Sequence, residues 1–280
     1  MRVGFSPPDP YLRTDQTVAG DATFNEHYAY AGRTQVFPSL VPGQHTTLII
    51  TFGDSLASAT DNSAYSPANA TMVQDISIDN GGVYQAATPA LGTSNEVAAS
   101  VSGFWGHRLA DKLINAGNTQ RVIHGNLGIG STGTALWATP QFSWRFGVLY
   151  RRLNALGLLS ASRIFILSSI GGLDQYQALG TATVQANLAT IIAAIRAAGF
   201  ATTPLYLALS SWGGGGLGGV NGTNVRAAIL NTIAGTSNTF RGADTDTIAA
   251  SGRYDTNHYN ATGSDAAATL WYNTISGIFP

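Results

Sequence analysis

Apolar residues along the chain follow two rhythms. Short unbroken runs of strand formers alternate with longer stretches that return an apolar residue every three or four positions. Four runs, 46–52, 121–127, 163–169 and 204–209, are apolar on both faces, as strands covered on both sides are. Helical patterns lie over 103–116, 142–157, 181–198, 223–234 and 262–277. In 181–198, Val184, Leu188, Ile191 and Ile195 share a face and Gly199 suits the C-terminal cap. Ser102 can cap the start of 103–116, and Gly117 can end it. Residues 57–100 lack a clear period, apart from a strand-like piece at 72–78 and a turn at Gly81–Gly82. So long a stretch inside a compact domain is usually functional or holds short elements of its own.

This order predicts one α/β domain over 46–280, with a central parallel sheet, helices on both faces and right-handed crossovers. No repeat of fixed period and no linker divides it. Residues 1–45 are irregular, with three prolines between positions 7 and 10 and the aromatics Phe24, Tyr28, Tyr30 and Phe37. They read as an arm packed on the domain or as a flexible leader. Sites in such sheets lie at the carboxyl ends of the strands. Ser55, the turn at 128–133, the segment 171–174 and Trp212 all follow such ends.

Composition narrows the chemistry. Of 280 residues, 44% are apolar and 10% charged, and the net charge of −1 offers no field for nucleic acid. The absence of cysteine excludes disulfides and thiol catalysis. No apolar run approaches the ~20 residues of a membrane span, and the first residues show no apolar signal-peptide core. The turn at 128–133 fits no nucleotide fingerprint, because no lysine follows it. No cofactor or metal is expected, and the oligomeric state is left open.

The run 46–52 stops at Gly53, and a hydroxyl follows at Ser55. A serine nucleophile needs a base, an orienting carboxylate and donors for the oxyanion. Of the five histidines, His27 lies in the arm and His45 on the wrong end of the first strand. His107 falls in a helix, where surface or packing roles are commoner, and His124 in a strand as a core residue. His258 remains, three residues after Asp255, a spacing that puts imidazole and carboxylate on one turn. Oxyanion donors are available from the Ser55 N–H and from Gly130 or Ser131. Trp137, Trp144 and Trp212 can form a sugar platform or pack in the core. Asp244 and Asp246 can bind a cation or close a turn on themselves.

Gly53-Asp54-Ser55-Leu56, the glycine turn at 128–133, Gly171-Gly172-Leu173-Asp174 and Asp255-x-x-His258 resemble, in order, the four blocks of the SGNH/GDSL hydrolases. Within them the chain is most similar to carbohydrate esterases of the sialate O-acetylesterase type. Ile129–Trp137 and the stretch from Asp244 to His258 carry that similarity, and the whole likeness covers about 46–278. It implies a three-layer α/β/α sandwich of flavodoxin-like strand order and ester hydrolysis through an acyl-serine. The substrate would be a small acyl ester or an acylated carbohydrate. Carried onto this chain, Ser55 would be the nucleophile, His258 the base and Asp255 its orienting acid. Ser55, Gly130, Ser131 and Gly171 would form the oxyanion hole, and Asp54, Trp137, Asp174 and Trp212 would contact substrate. Asp54 can alternatively be catalytic or orient the turn, and its place beside the serine favours the structural role. The third block departs from the family pattern, with Leu173 in place of asparagine. Ser169 or Gln175 would have to supply the missing donor, or the hole is weaker. A catalytically weak or inactive glycan-binding or virion-associated module is the alternative reading.

Overall fold

Every residue of the run 46–53 is buried, because helices cover both faces of the sheet it belongs to. The computed structural model describes residues 33–38, 40, 44–92, 102–161, 163–212 and 219–279. The strands are β1 (Gln35–Val36), β2 (Thr46–Gly53), β3 (Val73–Ile76), β4 (Val83–Gln85), β5 (Arg121–Asn126), β6 (Arg163–Ser169), β7 (Leu205–Leu209) and β8 (Thr239–Asp244). The helices are α1 (Trp105–Asn115), α2 (Thr134–Trp137), α3 (Pro140–Ala155), α4 (Gly172–Tyr176), α5 (Thr181–Ala197), α6 (Gly219–Gly235) and α7 (Ala261–Ile275). Most of the arm, with Phe24, Tyr28 and Tyr30, lies outside the described residues, as do residues 213–218 of a glycine-rich run over 213–219.

The sheet order is β1-β4-β3-β5-β2-β6-β7-β8. The six strands from β3 to β8 in that order run parallel, and β4 and β1 close one edge antiparallel. Its portion β5-β2-β6-β7-β8 has the flavodoxin-like order 2-1-3-4-5, and the three-layer α/β/α sandwich expected from the sequence is what forms. Successive residues of a strand point to opposite faces. Leu48, Ile50 and Phe52 of β2 therefore enter one core, with Phe146 of α3, Leu188 of α5 and Val225 of α6. Ile49 enters the other, with Leu109 of α1 and Trp271 of α7.

The both-face apolar runs became the central strands, within a residue of the expected bounds. Two features differ from expectation. Ser102 does not cap α1; the N-cap is Phe104, with no side-chain bond, so the helix starts two residues later than its pattern. The edge strand β8 has Phe240 and Arg241 exposed, which breaks the alternation that would announce it. As expected, the strand-like piece at 72–78 forms a strand, β3, which extends the parallel sheet, and β4 follows the turn at Gly81–Gly82.

The chain passes from β2 out to β5 on one side, and β6 returns on the other. The carboxyl ends of β2 and β6 thus part at a topological switch point, where such sheets form a crevice. Gly53 and Gly171 sit at those ends with φ of +141° and +140°. A Cβ on Gly53 would lie 1.9 Å from the Ser169 carbonyl oxygen, and one on Gly171 2.3 Å from that of Ser210. Only glycine lets these turns pack so closely.

Candidate active site

Ser55 opens a single 3-10 turn directly after β2. Asp54 caps that turn: its Oδ1 accepts the Leu56 N–H at 2.9 Å. The Ser55 N–H, at the start of the turn, has no acceptor among the described residues, while its carbonyl accepts from Ser58 N–H and Thr60 Oγ1.

Asp255 and His258 sit on a tight turn between β8 and α7. Asp255 Oδ1 accepts the N–H groups of Asn257 and His258 at 3.0 and 2.7 Å, which shapes the turn. Its Oδ2 pairs with His258 Nδ1 at 2.5 Å, leaving Nε2 to face elsewhere. The three-residue spacing serves both tasks at once. Burial pushes the Asp255 carboxyl up, but the bonds from the His258 ring and from the two backbone N–H groups outweigh it and hold it below the usual range. The turn is braced from behind by the Arg253–Tyr259 bridge and by Tyr254 N–H donating to the His258 carbonyl at 3.0 Å. Asn260 then caps α7 through the Gly263 N–H.

Ser55 and His258, remote in sequence, line one cavity of about 230 Å³. Ser131 and Thr132 from the turn after β5 line it too, as do Leu173, Tyr176, Trp212 and Asn257. Ser131 has φ of +57°, a left-handed conformation, and its N–H has no acceptor among the described residues. Thr132 fixes that turn by donating its hydroxyl to the Ile129 carbonyl at 2.6 Å.

Trp212 reaches the cavity because Asp246 holds its segment. Asp246 accepts from Ser211 N–H, Ser211 Oγ and Trp212 N–H at 2.8, 2.8 and 3.0 Å. The indole N–H donates to the Thr256 carbonyl at 2.7 Å, and the Arg253 guanidinium lies 4.3 Å from the ring centre. Trp212 therefore ties the end of β7 to the Asp255–His258 turn.

Several expected site residues lie elsewhere. Trp137 is fully buried in the core among Phe52, Phe142 and Phe146, and its indole N–H donates to Thr132 Oγ1 at 3.0 Å. It supports the Ser131 turn from below and offers no face to a sugar. Asp174 is also fully buried and binds Thr134 through its N–H and hydroxyl, joining α4 to α2. Asp54 borders the cavity, but its oxygens are taken by backbone donors, Oδ2 accepting from Gly171 and Gly172 at 3.2 and 3.1 Å. The structure thus assigns Asp54 to orienting the turn rather than to substrate. The Gly171 N–H is consumed in that bond and Gly171 does not line the cavity, so it is no oxyanion donor. Gly130 does not line the cavity either; of the two candidates Gly130 and Ser131, only Ser131 does. Ser169 and Gln175 do not replace the missing asparagine: neither lines the cavity, and Ser169 Oγ donates to Ser210 Oγ.

Asp244 and Asp246 both accept from the Arg226 guanidinium, which Asp244 grips at 2.9 Å through two nitrogens. Trp144 lies on another groove, between α3 and α5. His107 is buried and paired with Asp75 at 2.9 Å, and burial pushes His124 down to about 3, a neutral core residue. Sequence reasoning missed Tyr176, Thr132 and Asn257. Asn257 lies inside the Asp255–His258 turn, so its place in that block was a usable signal; Tyr176 gave none.

No family model and no curated protein sequence matches the chain. Solved structures do. A protein of Arabidopsis thaliana is similar at 13% identity over 83% of this chain and 98% of its own, with a TM-score of 0.60. A carbohydrate esterase family 3 protein of Talaromyces cellulolyticus is similar at 11% identity over 83% and 97%, with a TM-score of 0.52. At these identities the likeness is one of fold.

Proposed function

We propose that this protein is a serine ester hydrolase of SGNH/GDSL type that removes short acyl groups, acetyl above all, from an alcohol, with a carbohydrate as the favoured alcohol. The convergence of Ser55 and the Asp255-bound His258 on one cavity carries the reading. His258 Nε2 takes the proton as Ser55 Oγ attacks the ester carbonyl, while Asp255 accepts from Nδ1–H and stabilises the imidazolium. The N–H groups of Ser55 and Ser131 face the oxyanion. Collapse expels the alcohol, which takes the proton from His258, and leaves an acyl-serine. Water, deprotonated by His258, then attacks the acyl carbon, releasing the acid and restoring Ser55.

A cavity of about 230 Å³ suits a small acyl group. Trp212 and the exposed Tyr176 at its margin suit the flat face of a sugar. The carbohydrate esterase named for the Talaromyces protein accords with this reading. Release of p-nitrophenol from acetate and butyrate esters tests it, comparing parent with Ser55→Ala. Equal rates in both would remove Ser55 from the mechanism.

Leu173 favours a second reading. It lines the cavity where a side-chain donor would be worth ~3 kcal/mol in the transition state. A weak or inactive glycan-binding module would show no covalent labelling of Ser55 by a fluorophosphonate and yet bind sugars.

A further inference from the structure

Asp54 moves no proton in the reaction above, yet it is 4% exposed and borders the cavity beside the nucleophile. Its three partners are all donors: Leu56 N–H on Oδ1, and Gly171 and Gly172 N–H on Oδ2. A carboxamide cannot satisfy this set, because either orientation turns its NH2 toward an N–H donor. A protonated acid has the same defect on one oxygen. Only the carboxylate serves all three bonds.

Those bonds join two segments that leave different strands. Leu56 follows Ser55, and Leu173, which walls the cavity, follows Gly172. The backbone repeats the link once, through the Asp54 N–H donating to the Ser169 carbonyl at 3.0 Å. The β2–β6 ladder ends at Gly53 and Ser169, so beyond it loss of the carboxylate charge would leave the two turns that backbone bond and one accepting oxygen of Asp54.

We propose that Asp54 is a positioning residue whose ionised carboxylate clamps the Ser55 turn to the Gly171–Leu173 turn, so that its protonation disengages the two and stops acylation of Ser55. The kinetic half of this proposal rests on the esterase reading; the clamp itself does not.

Burial opposes the charge and pushes the Asp54 carboxyl up to about 7, against the pull of its backbone donors. Asp174 on α4 adds to that rise. Arg253 and Tyr259, from the segment between β8 and α7, also face Asp54, and the positive charge of Arg253 favours the carboxylate. His258 lies across the cavity. Acylation then requires two groups in their deprotonated forms, the imidazole of His258 and the carboxylate of Asp54.

The test follows the rate of Ser55 labelling by a fluorophosphonate from about pH 4 to 9 in parent and Asp54→Asn. The amide resonances of Leu56, Gly171 and Gly172 are recorded on the parent over the same range. In the parent the logarithm of the rate should fall toward acid with a slope of about two, since two protons are taken up. In Asp54→Asn the slope should be about one, with a plateau ~100-fold lower from misplaced reacting groups. The three amide resonances should shift together with one midpoint. A parent slope of one that Asp54→Asn leaves unchanged overturns the proposal, and so do three amides that titrate apart or not at all. Should Asp54→Asn fail to fold, the parent slope and the amides decide. An unlabelled parent whose amides still titrate together refutes the esterase reading and upholds the clamp.

Discussion

Replacing Asp246 with alanine separates the support of Trp212 from the chemistry at Ser55. Asp246 is 5% exposed and accepts four bonds, from Ser211 N–H, Ser211 Oγ, Trp212 N–H and Arg226. Arg226 keeps its two bonds to Asp244 after the change, so the ~3–5 kcal/mol for stranding a buried charge does not apply. The Ser211 hydroxyl can rotate to another acceptor. What remains is two backbone N–H groups left without acceptors, at ~1–3 kcal/mol each. The expected loss is therefore about 4 kcal/mol, large against the ~5–15 kcal/mol of a typical domain but not enough to abolish folding. Trp212 keeps its bond to the Thr256 carbonyl, so its segment loosens and stays near the cavity. KM for an acetylated sugar should rise about tenfold while kcat stays within about threefold, the signature of lost uniform binding. Urea unfolding with an unchanged m-value measures the first effect and steady-state kinetics the second. A stability loss under ~1 kcal/mol, or a fall in kcat at constant KM, would refute the reasoning.

Other outcomes follow from the same contacts. Trp137→Ala should cost ~3–5 kcal/mol in denaturant unfolding, because it empties a core site among three phenylalanines; an unchanged stability with a raised KM would mean that the indole meets substrate after all. Leu173→Asn, which restores a donor at the cavity wall, should raise kcat about tenfold, a fraction of the ~3 kcal/mol such a donor can supply. A lower kcat in a variant that melts like the parent would exclude that site from the oxyanion hole. The folded state raises Asp54 from 3.8 to about 7, so it holds that proton more tightly than the unfolded chain does. The resulting stability is fully present below pH 3.8 and is lost as pH rises through about 7. The stability of Asp54→Asn relative to the parent should therefore rise over that window, and a relative stability that falls would contradict the raised value.

At Asp54, burial and hydrogen bonding pull in opposite directions. Burial resists the carboxylate, while the three N–H groups around it have use only for the carboxylate. Strained or costly features are expected where a site must be held in one geometry.

The central strands were readable because burial on both faces leaves an unbroken apolar run, as in 46–52 and 163–169. The edge strand β8 was not, since its exposed Phe240 and Arg241 obey no period that a lone sequence displays. Within the site, Asp255 and His258 were readable for a related reason. Three residues of chain suffice to build their turn, so local spacing carries the geometry. Ser55 was readable as the hydroxyl at a strand end.

Other roles depended on contacts between segments far apart in the chain. Trp137 and Trp212 both follow strand ends in sequence, yet one is walled into the core by Phe52 and Phe146 while the other is drawn to the cavity by Asp246 and Thr256. The Gly171 N–H looked free for an oxyanion until the fold brought Asp54 to it, from more than a hundred residues away. The layers, the central strands and the Asp255–His258 turn were legible along the chain, because periodicity and short-range hydrogen bonds are properties of neighbouring residues. Which donors stay unspent at the cavity depends on the fold, because a hydrogen-bonding group is spent or free according to what the rest of the chain brings within about 3 Å of it.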